Sequence, residues 1–273
     1  MIPNAERLIL GAWTALICVF MLGPLVVMFA ISVTASGYIS LPYEGVSLRW
    51  YQDMLRQSVF IDAAINSVVL ALQATAISVV LGTATAIAVT RYRFPGRGIV
   101  LMLAGAPLFV PLVMTGLAIL IFFSAIGIGG PAERLLVAHI CLTLPYIVRM
   151  VSVSLAGFDW NQEAAALNLG ASRLRAFVEV TLPQILPGVI AGAAFAFIIS
   201  FDDVGISIFL TGAAYKTLPV ELYAFAAFDL TPMIAAVSVA MILFSAAFVL
   251  LIERLFGVQK VLAGEVGAKN PAA

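Results

Sequence analysis

The stretch FDWNQEAAALNLGASRLRAFVEVTLPQILPGVIAG, Phe158 to Gly192, sets a polar, helix-prone island inside a chain that otherwise consists of long apolar runs. Gln162 to Leu169 is a run of good helix formers, with small alanines at Ala164 to Ala166. Gly170 is the expected stop, because glycine enters the left-handed region without a side-chain penalty. A second helix is expected from Ser172, carrying Arg173 and Arg175 on its wet side and Leu174, Phe177 and Val178 on the other, and ending before Pro183. The predicted shape is a helix-turn-helix elbow over residues 158–184. Its small residues would let it sit deep in a partner's groove; the plainer alternative is an alanine-rich connector between spans.

Outward from the island, the 273 residues are 63% hydrophobic and only 10% charged, against about 25% charged in a soluble domain. The chain is therefore an integral membrane protein. Its 14 basic and 14 acidic residues balance, so no overall field draws it to nucleic acid. Cys18 and Cys141 lie within apolar runs and offer neither a disulfide framework nor a zinc site. The first apolar run, Leu8 to Val33, is longer than the roughly 7–15 residues of a signal-peptide core and reads as a retained anchor.

A helix needs about 20 apolar residues to cross a bilayer. About six runs qualify: Leu8 to Val33, Ile61 to Thr90, Ile99 to Ile126, Leu135 to Ala156, Ile185 to Leu210 and Met233 to Phe256. The predicted fold is an all-α, polytopic membrane protein with about six transmembrane helices, since helices satisfy the buried backbone and no barrel alternation is present. Residues 1–263 form one transmembrane domain, and the Gly/Ala-rich tail 264–273 is expected to be disordered. Arg7, Arg91, Arg93, Arg97, Arg173, Arg175, Arg254, Lys260 and Lys269 collect on one side of the spans. Arg49, Arg56, Arg134 and Lys216 lie on the other. The positive-inside rule then puts both termini and the island in the cytoplasm. Tyr38 to Val59 and Thr211 to Thr231 face outward, and SLRWY (Ser47 to Tyr51) suits a short helix at the membrane interface.

Several polar groups fall inside apolar runs. Asp202 and Asp203 lie in the outer half of the fifth, where charges are costly enough to be functional candidates by default. Ser200, Asp203 and Ser207 share a helical face by spacing. The aspartates are either hydrated at the outer interface or part of a cation-attracting wall of a translocation path. Asn66 and Gln73, seven residues apart, either line the path or join helices. Arg149 either snorkels to water or binds a solute carboxylate. His139 has no partner at metal-ligand spacing and reads as a hydrogen-bonded structural residue, so no catalytic or metal site is expected. Gly82, Gly105 and Gly116 read as close-packing positions, and Pro107, Pro111 and Pro145 as kinks.

Glu163-Ala164-Ala165 followed by Gly170 and then Val180, Leu182 and Pro183 resembles the EAA loop of ABC importer permeases. RYRFPG (Arg91 to Gly96), VAHICLTLPYIV (Val137 to Val148), LPQILPGVIAG (Leu182 to Gly192), ISFDDVGIS (Ile199 to Ser207) and TGAAYKTLP (Thr211 to Pro219) look like the spermidine/putrescine branch, in the right order and over most of the chain from Leu48. The resemblance implies a type I importer permease of a bacterial inner membrane, taking up a small cationic or zwitterionic solute of polyamine type. It implies that the elbow is a coupling helix, with Glu163, Ala164, Ala165, Asn168, Gly170, Ala171, Ser172 and Pro183 engaging a separate ATPase. It also implies that Asp202 and Asp203 belong to the translocation path, for which Ser207, Asn66 and Arg149 are further candidates by their position in the spans. The chain has no Walker glycine loop, so ATP and Mg would be bound by partner ATPase subunits, in a dimer. A second, related permease and an extracytoplasmic solute-binding protein complete the expected assembly. Four positions depart from the family, the first of them Val137, where the pattern has leucine. Anchored on Gly170, the family's glutamate falls on Ala164 and its aspartate on Asn168, and one helical position is a rotation of about 100°. Leu112 stands where polyamine permeases carry an acid. The rival readings are an ion-coupled secondary transporter of a similar solute and an intramembrane enzyme; the first leaves the elbow unexplained, and the second lacks a paired nucleophile and base.

Overall fold

Apolar segments without water to hydrate their peptide groups must bond those groups internally, and this chain does so almost wholly with helices. The computed structural model describes residues 4–42, 44–127 and 129–256. In chain order the helices are α1 (Asn4–Ser32), α2 (Arg49–Arg56), α3 (Ser58–Arg91), α4 (Arg97–Gly105), α5 (Leu112–Ile126), α6 (Pro131–Ala156), α7 (Trp160–Asn168), α8 (Arg173–Ala176), α9 (Leu182–Phe201), α10 (Ser207–Leu210), α11 (Leu218–Phe228) and α12 (Met233–Phe256). The tail from Gly264, with Lys269, and Lys260 before it lie outside the described residues.

Among the described residues five helices are long and apolar enough to cross a membrane, and six if one bent pair counts as a single span. The bent pair is the third predicted run. After α4 comes a 3-10 turn, Ala106–Leu108, and α5 then leaves at 107°. Pro107 and Pro111 explain the break, since each removes a backbone donor and obstructs the preceding turn. The fifth run also differs from expectation. α9 stops at Phe201 rather than continuing to Leu210, and only the single turn of α10 resumes beyond it. The predicted stop before Pro183 is absent as well: α8 runs through a π-helical turn, Phe177–Thr181, directly into α9. The wider turn accommodates a proline in the first turn of α9 without a helix break.

The described residues group into two compact units. One draws on Met1–Asp62 and Glu221–Phe244. In it α1 buries none of its apolar side chains, as suits a helix facing lipid or another chain. α2 is fastened to the chain that follows α1: Trp50 Nε1 donates to the Thr34 carbonyl at 3.1 Å, and Tyr51 Oη to Ser32 Oγ at 2.8 Å. Trp50 is buried, so this indole is committed to the protein rather than to a membrane interface.

The other unit draws on Ala63–Val220 and Ser245–Ala273, and its centre is the pairing of α6 with α9. Ile147, Val151 and Leu155 of α6 pack with Ile185, Val189 and Ala196 of α9 and Ala86 of α3. The backbones approach closely at glycines. A Cβ on Gly188 would stand 2.9 Å from the Met150 carbonyl, and one on Gly192 3.2 Å from Ile147 Cα. Gly82 meets Ile147, and Gly116 meets Ile206, in the same way; nothing lies within 4 Å of the predicted packing position Gly105. Ser78 of α3 and Thr143 of α6 add a buried hydroxyl pair at 2.7 Å.

Gly188→Val, which must displace the α6 backbone, is expected to destabilise the purified protein by about 1–3 kcal/mol. Gly98→Val, where no atom lies within 4 Å, is expected to be near neutral. Thermal unfolding in detergent separates the two.

Candidate functional site

The elbow begins at Asp159, whose carboxylate caps α7 by accepting from the Asn161 amide at 3.0 Å. α7 ends as its sequence requires. Gly170 takes φ +94°, and the Ala171 amide reaches back to the Ala166 carbonyl at 3.1 Å, closing a Schellman turn. Ser172 Oγ then accepts from the Arg175 amide and starts α8. Ala164, Ala165, Asn168 and Gly170 are exposed, Ser172 also, and Ala171 is half-buried. Pro183 is exposed in the first turn of α9.

Apolar exposure on the elbow is greater than its amphipathic pattern predicts. Leu169 is 91% and Leu174 73% exposed, and Val178 is also exposed. In the second helix Ala176 is the buried residue, where Leu174 and Val178 had been expected to face inward. The elbow thus offers three bare aliphatic side chains beside an alanine face.

Glu163 is the one buried residue of α7, at 3% exposure. Its Oε1 lies 2.7 Å from Arg91 Nη1 at the end of α3, and its Oε2 accepts from Thr181 Oγ1 at 2.8 Å in the π-helical turn. The Arg91 guanidinium stacks 4.9 Å from the Trp160 ring centre. The one-residue offset therefore has a structural counterpart: the carboxylate turns inward, while Ala164 lines a shallow surface cavity with Arg91, Trp160 and Leu167. Arg91, Trp160 and Thr181 are functional candidates that sequence reasoning passed over. The arginine entered as a positive charge and as the start of RYRFPG, without a partner, and its link to the elbow spans 72 residues of chain.

At the far end of α9 a second polar cluster is buried. His139 of α6 is wholly enclosed, with Nδ1 2.7 Å from Ser200 Oγ and Nε2 2.9 Å from Ser207 Oγ. Asp203 is 7% exposed and accepts from the Ser207 amide at 2.9 Å, the Ile206 amide at 3.2 Å and the Ser207 hydroxyl at 2.8 Å. Ser207 has one hydroxyl proton, and it goes to the carboxylate, so Ser207 Oγ accepts from Nε2–H. In the neutral ring Nδ1 then accepts from the Ser200 hydroxyl. The donors run one way, from Ser200 through His139 and Ser207 to Asp203. These residues do not share one helical face, as their spacing suggested; they meet because the chain turns after Phe201. Asp203 supports that turn by satisfying the amides that open α10.

The remaining candidates are separate. Asp202, at the C-terminal cap of α9, is exposed. Asn66 Nδ2 donates to the Lys216 carbonyl at 3.1 Å, which joins α3 to the segment before α11; Gln73 is exposed. Arg149 is exposed on α6 and lines a cleft of about 450 Å³ with Leu101, Leu108, Phe109 and Ser152. No group of three His, Cys, Asp or Glu residues suited to a metal lies among the described residues.

Residues 78–259 match the family described as "Binding-protein-dependent transport system inner membrane component". The chain is 33% identical over 228 residues to the spermidine/putrescine transport system permease protein PotC of Haemophilus influenzae, covering 84% of this chain and 88% of that one. It is 33% identical over 226 residues to the putrescine transport system permease protein PotI of Escherichia coli K12, covering 80% of each. Among solved structures, a bacterial alginate ABC transporter in complex with alginate pentasaccharide-bound periplasmic protein shares the fold, with a TM-score of 0.72 at 14% identity over 92% of this chain and 93% of that one.

The two aspartates should separate experimentally. Asp203→Asn and Ser207→Ala each break the buried donor sequence and are expected to cost about 1–3 kcal/mol of stability in detergent. Asp202→Asn is expected to leave thermal unfolding unchanged.

Proposed function

Since the chain belongs to the family of binding-protein-dependent transport system inner membrane components, the permease subunits of ABC importers, we propose that its elbow, residues 158–184, is the surface that couples it to ATP hydrolysis. As a multi-pass inner-membrane protein of this family it carries out no bond chemistry, and ATP is hydrolysed by a separate subunit. The observation that carries the reading is the bare apolar face of Leu169, Leu174 and Val178 beside Ala164 and Ala165, outside the apolar body of the spans. Aliphatic side chains that exposed, next to residues too small to hold a partner off, fit a groove on another protein. The proposed contact set is Ala164, Ala165, Asn168, Gly170, Ala171 and Ser172, with Pro183 setting where α9 begins. Both termini and the elbow face the cytoplasm in this reading, as the distribution of Arg and Lys suggests.

The proposed solute is a small cation of polyamine type. Asp202 supplies an exposed carboxylate at the end of α9, and relatives bearing spermidine and putrescine in their names support the assignment. Asp203 and Ser207 act in the path indirectly, by holding the turn that presents Asp202, and Asn66 by fixing the segment at Lys216. Arg149 suits a carboxylate on a zwitterionic solute. A solute-binding protein delivers from outside, ATPase dimerisation moves the elbow, and a second permease chain completes the path. The ion-coupled alternative is not favoured, because it gives the elbow no role.

Gly170→Val forces a β-branched residue to φ +94°. In proteoliposomes holding the whole transporter, it should cut uptake per ATP hydrolysed by about tenfold while leaving membrane insertion intact. Undiminished uptake, or uptake without ATPase, would refute the coupling reading. Calorimetry of the cognate binding protein against spermidine, putrescine, amino-acid derivatives and neutral sugars tests the solute class. Affinity for sugars alone would sink the cationic assignment.

A further inference from the structure

We propose that Arg91, Glu163 and Thr181 form a strut, centred on the buried Glu163, that carries displacement of the elbow into α3 and α9, and that Glu163 serves this internal role rather than a contact with the ATPase. The inference rests on the coupling reading of the elbow. Its starting point is the reach of one carboxylate: Oε1 meets Arg91 of α3, Oε2 meets Thr181 at the head of α9, and the side chain itself belongs to α7. Three elements are thus joined at one carboxylate, which is buried although its partner Arg91 is exposed.

The geometry makes that point stiff. Glu163 is 3% exposed, so each of its oxygens is held by a protein donor rather than exchanging with solvent. Separating the pair would leave a buried charge without its partner, which is far costlier than losing an exposed pair. The guanidinium is confined further by stacking over Trp160, whose ring packs edge-on against Phe158 at 4.8 Å. Gln184 Nε2 donates to Gln162 Oε1 at 2.6 Å and gives α7 and α9 a second link nearby. Without Arg91 the elbow would still be tied to α9, by the covalent chain, by Thr181 and by Gln184. The link to α3 is the part that depends most on Arg91, through its ion pair with Glu163 and its stacking on Trp160.

That division matters for transport because α3 and α9 carry different path candidates. Asn66 lies on α3, and Asp202 ends α9. A carboxylate that grips both helices helps to move them together when the elbow is displaced; without it the elbow stays tied to α9 and is held less firmly to α3. The position of the acid, one residue before Ala164, is what the strut requires. A rotation of about 100° puts the carboxylate inward and leaves alanine on the docking face.

The test uses the complete transporter in proteoliposomes, with its partner ATPases, partner permease and binding protein, reading both ATP hydrolysis and solute uptake. Arg91→Gln and Glu163→Gln are each expected to reduce uptake per ATP about tenfold while the ATPase subunits still co-purify and hydrolyse ATP. The exchanged pair, Arg91→Glu with Glu163→Arg, is expected to recover most of the ratio. A purely structural acid would gain nothing from the exchange. Wild-type coupling in both single variants would overturn the proposal, and so would an exchanged pair no better than the singles. If a neutral variant fails to assemble, Arg91→Lys keeps the charge but loses the stacking on Trp160. A reduced ratio in that variant supports the strut, and a wild-type ratio overturns it. Failure of the coupling reading itself is distinguishable, since Gly170→Val would then leave uptake per ATP unchanged whatever the strut variants do.

Discussion

α6 and α9 can lie against each other only because Gly188 and Gly192 present no side chain to the α6 backbone, and most of the larger unit is arranged around that approach. The two helices are consecutive arms of one hairpin, with the elbow as their connection. Whatever acts on the elbow therefore acts on the near end of a closely packed pair. At the far end His139 of α6 meets Ser200 of α9 and Ser207 beyond it, so the same pair is pinned by polar contacts set within a second apolar cluster. Interiors packed this closely pass on displacement rather than absorbing it.

The buried cluster at the far end also separates two adjacent aspartates by environment. Asp203 is met by two amides and a hydroxyl, and its charge is spent on shaping a turn. Asp202 next to it remains exposed. Identical residues thus take unlike roles through a change in side-chain direction at the end of a helix. The neutral histidine suits this arrangement, because one ring nitrogen gives and the other receives, which lets the hydroxyl of Ser207 keep its proton for the carboxylate.

Much of this was legible in the sequence, since it rests on local rules. Apolar runs of sufficient length marked the spans, Gly170 ended α7 as glycine does, and Pro107 and Pro111 broke the third run. Contacts between distant residues were less accessible. No periodicity links Arg91 to Glu163, and the inward turn of Glu163 depends on where α3 ends. The fifth run was read too long because its hydropathy continues past Phe201, while the chain turns there on account of hydrogen bonds to Asp203. Pro183 was read as a stop, yet an added residue in the turn before it lets the helix pass through.

That continuity has a mechanical consequence. From Arg173 to Phe201 the chain is one helical rod of 29 residues, about 44 Å long, whereas the hydrocarbon core of a bilayer is about 30 Å thick. Lying along the bilayer normal, the rod would have about a third of its length clear of the lipid, as a lever. Pivoted at the membrane surface, a tilt of about 10° swings the free end by about 2 Å. The bilayer itself can thus serve as the fulcrum.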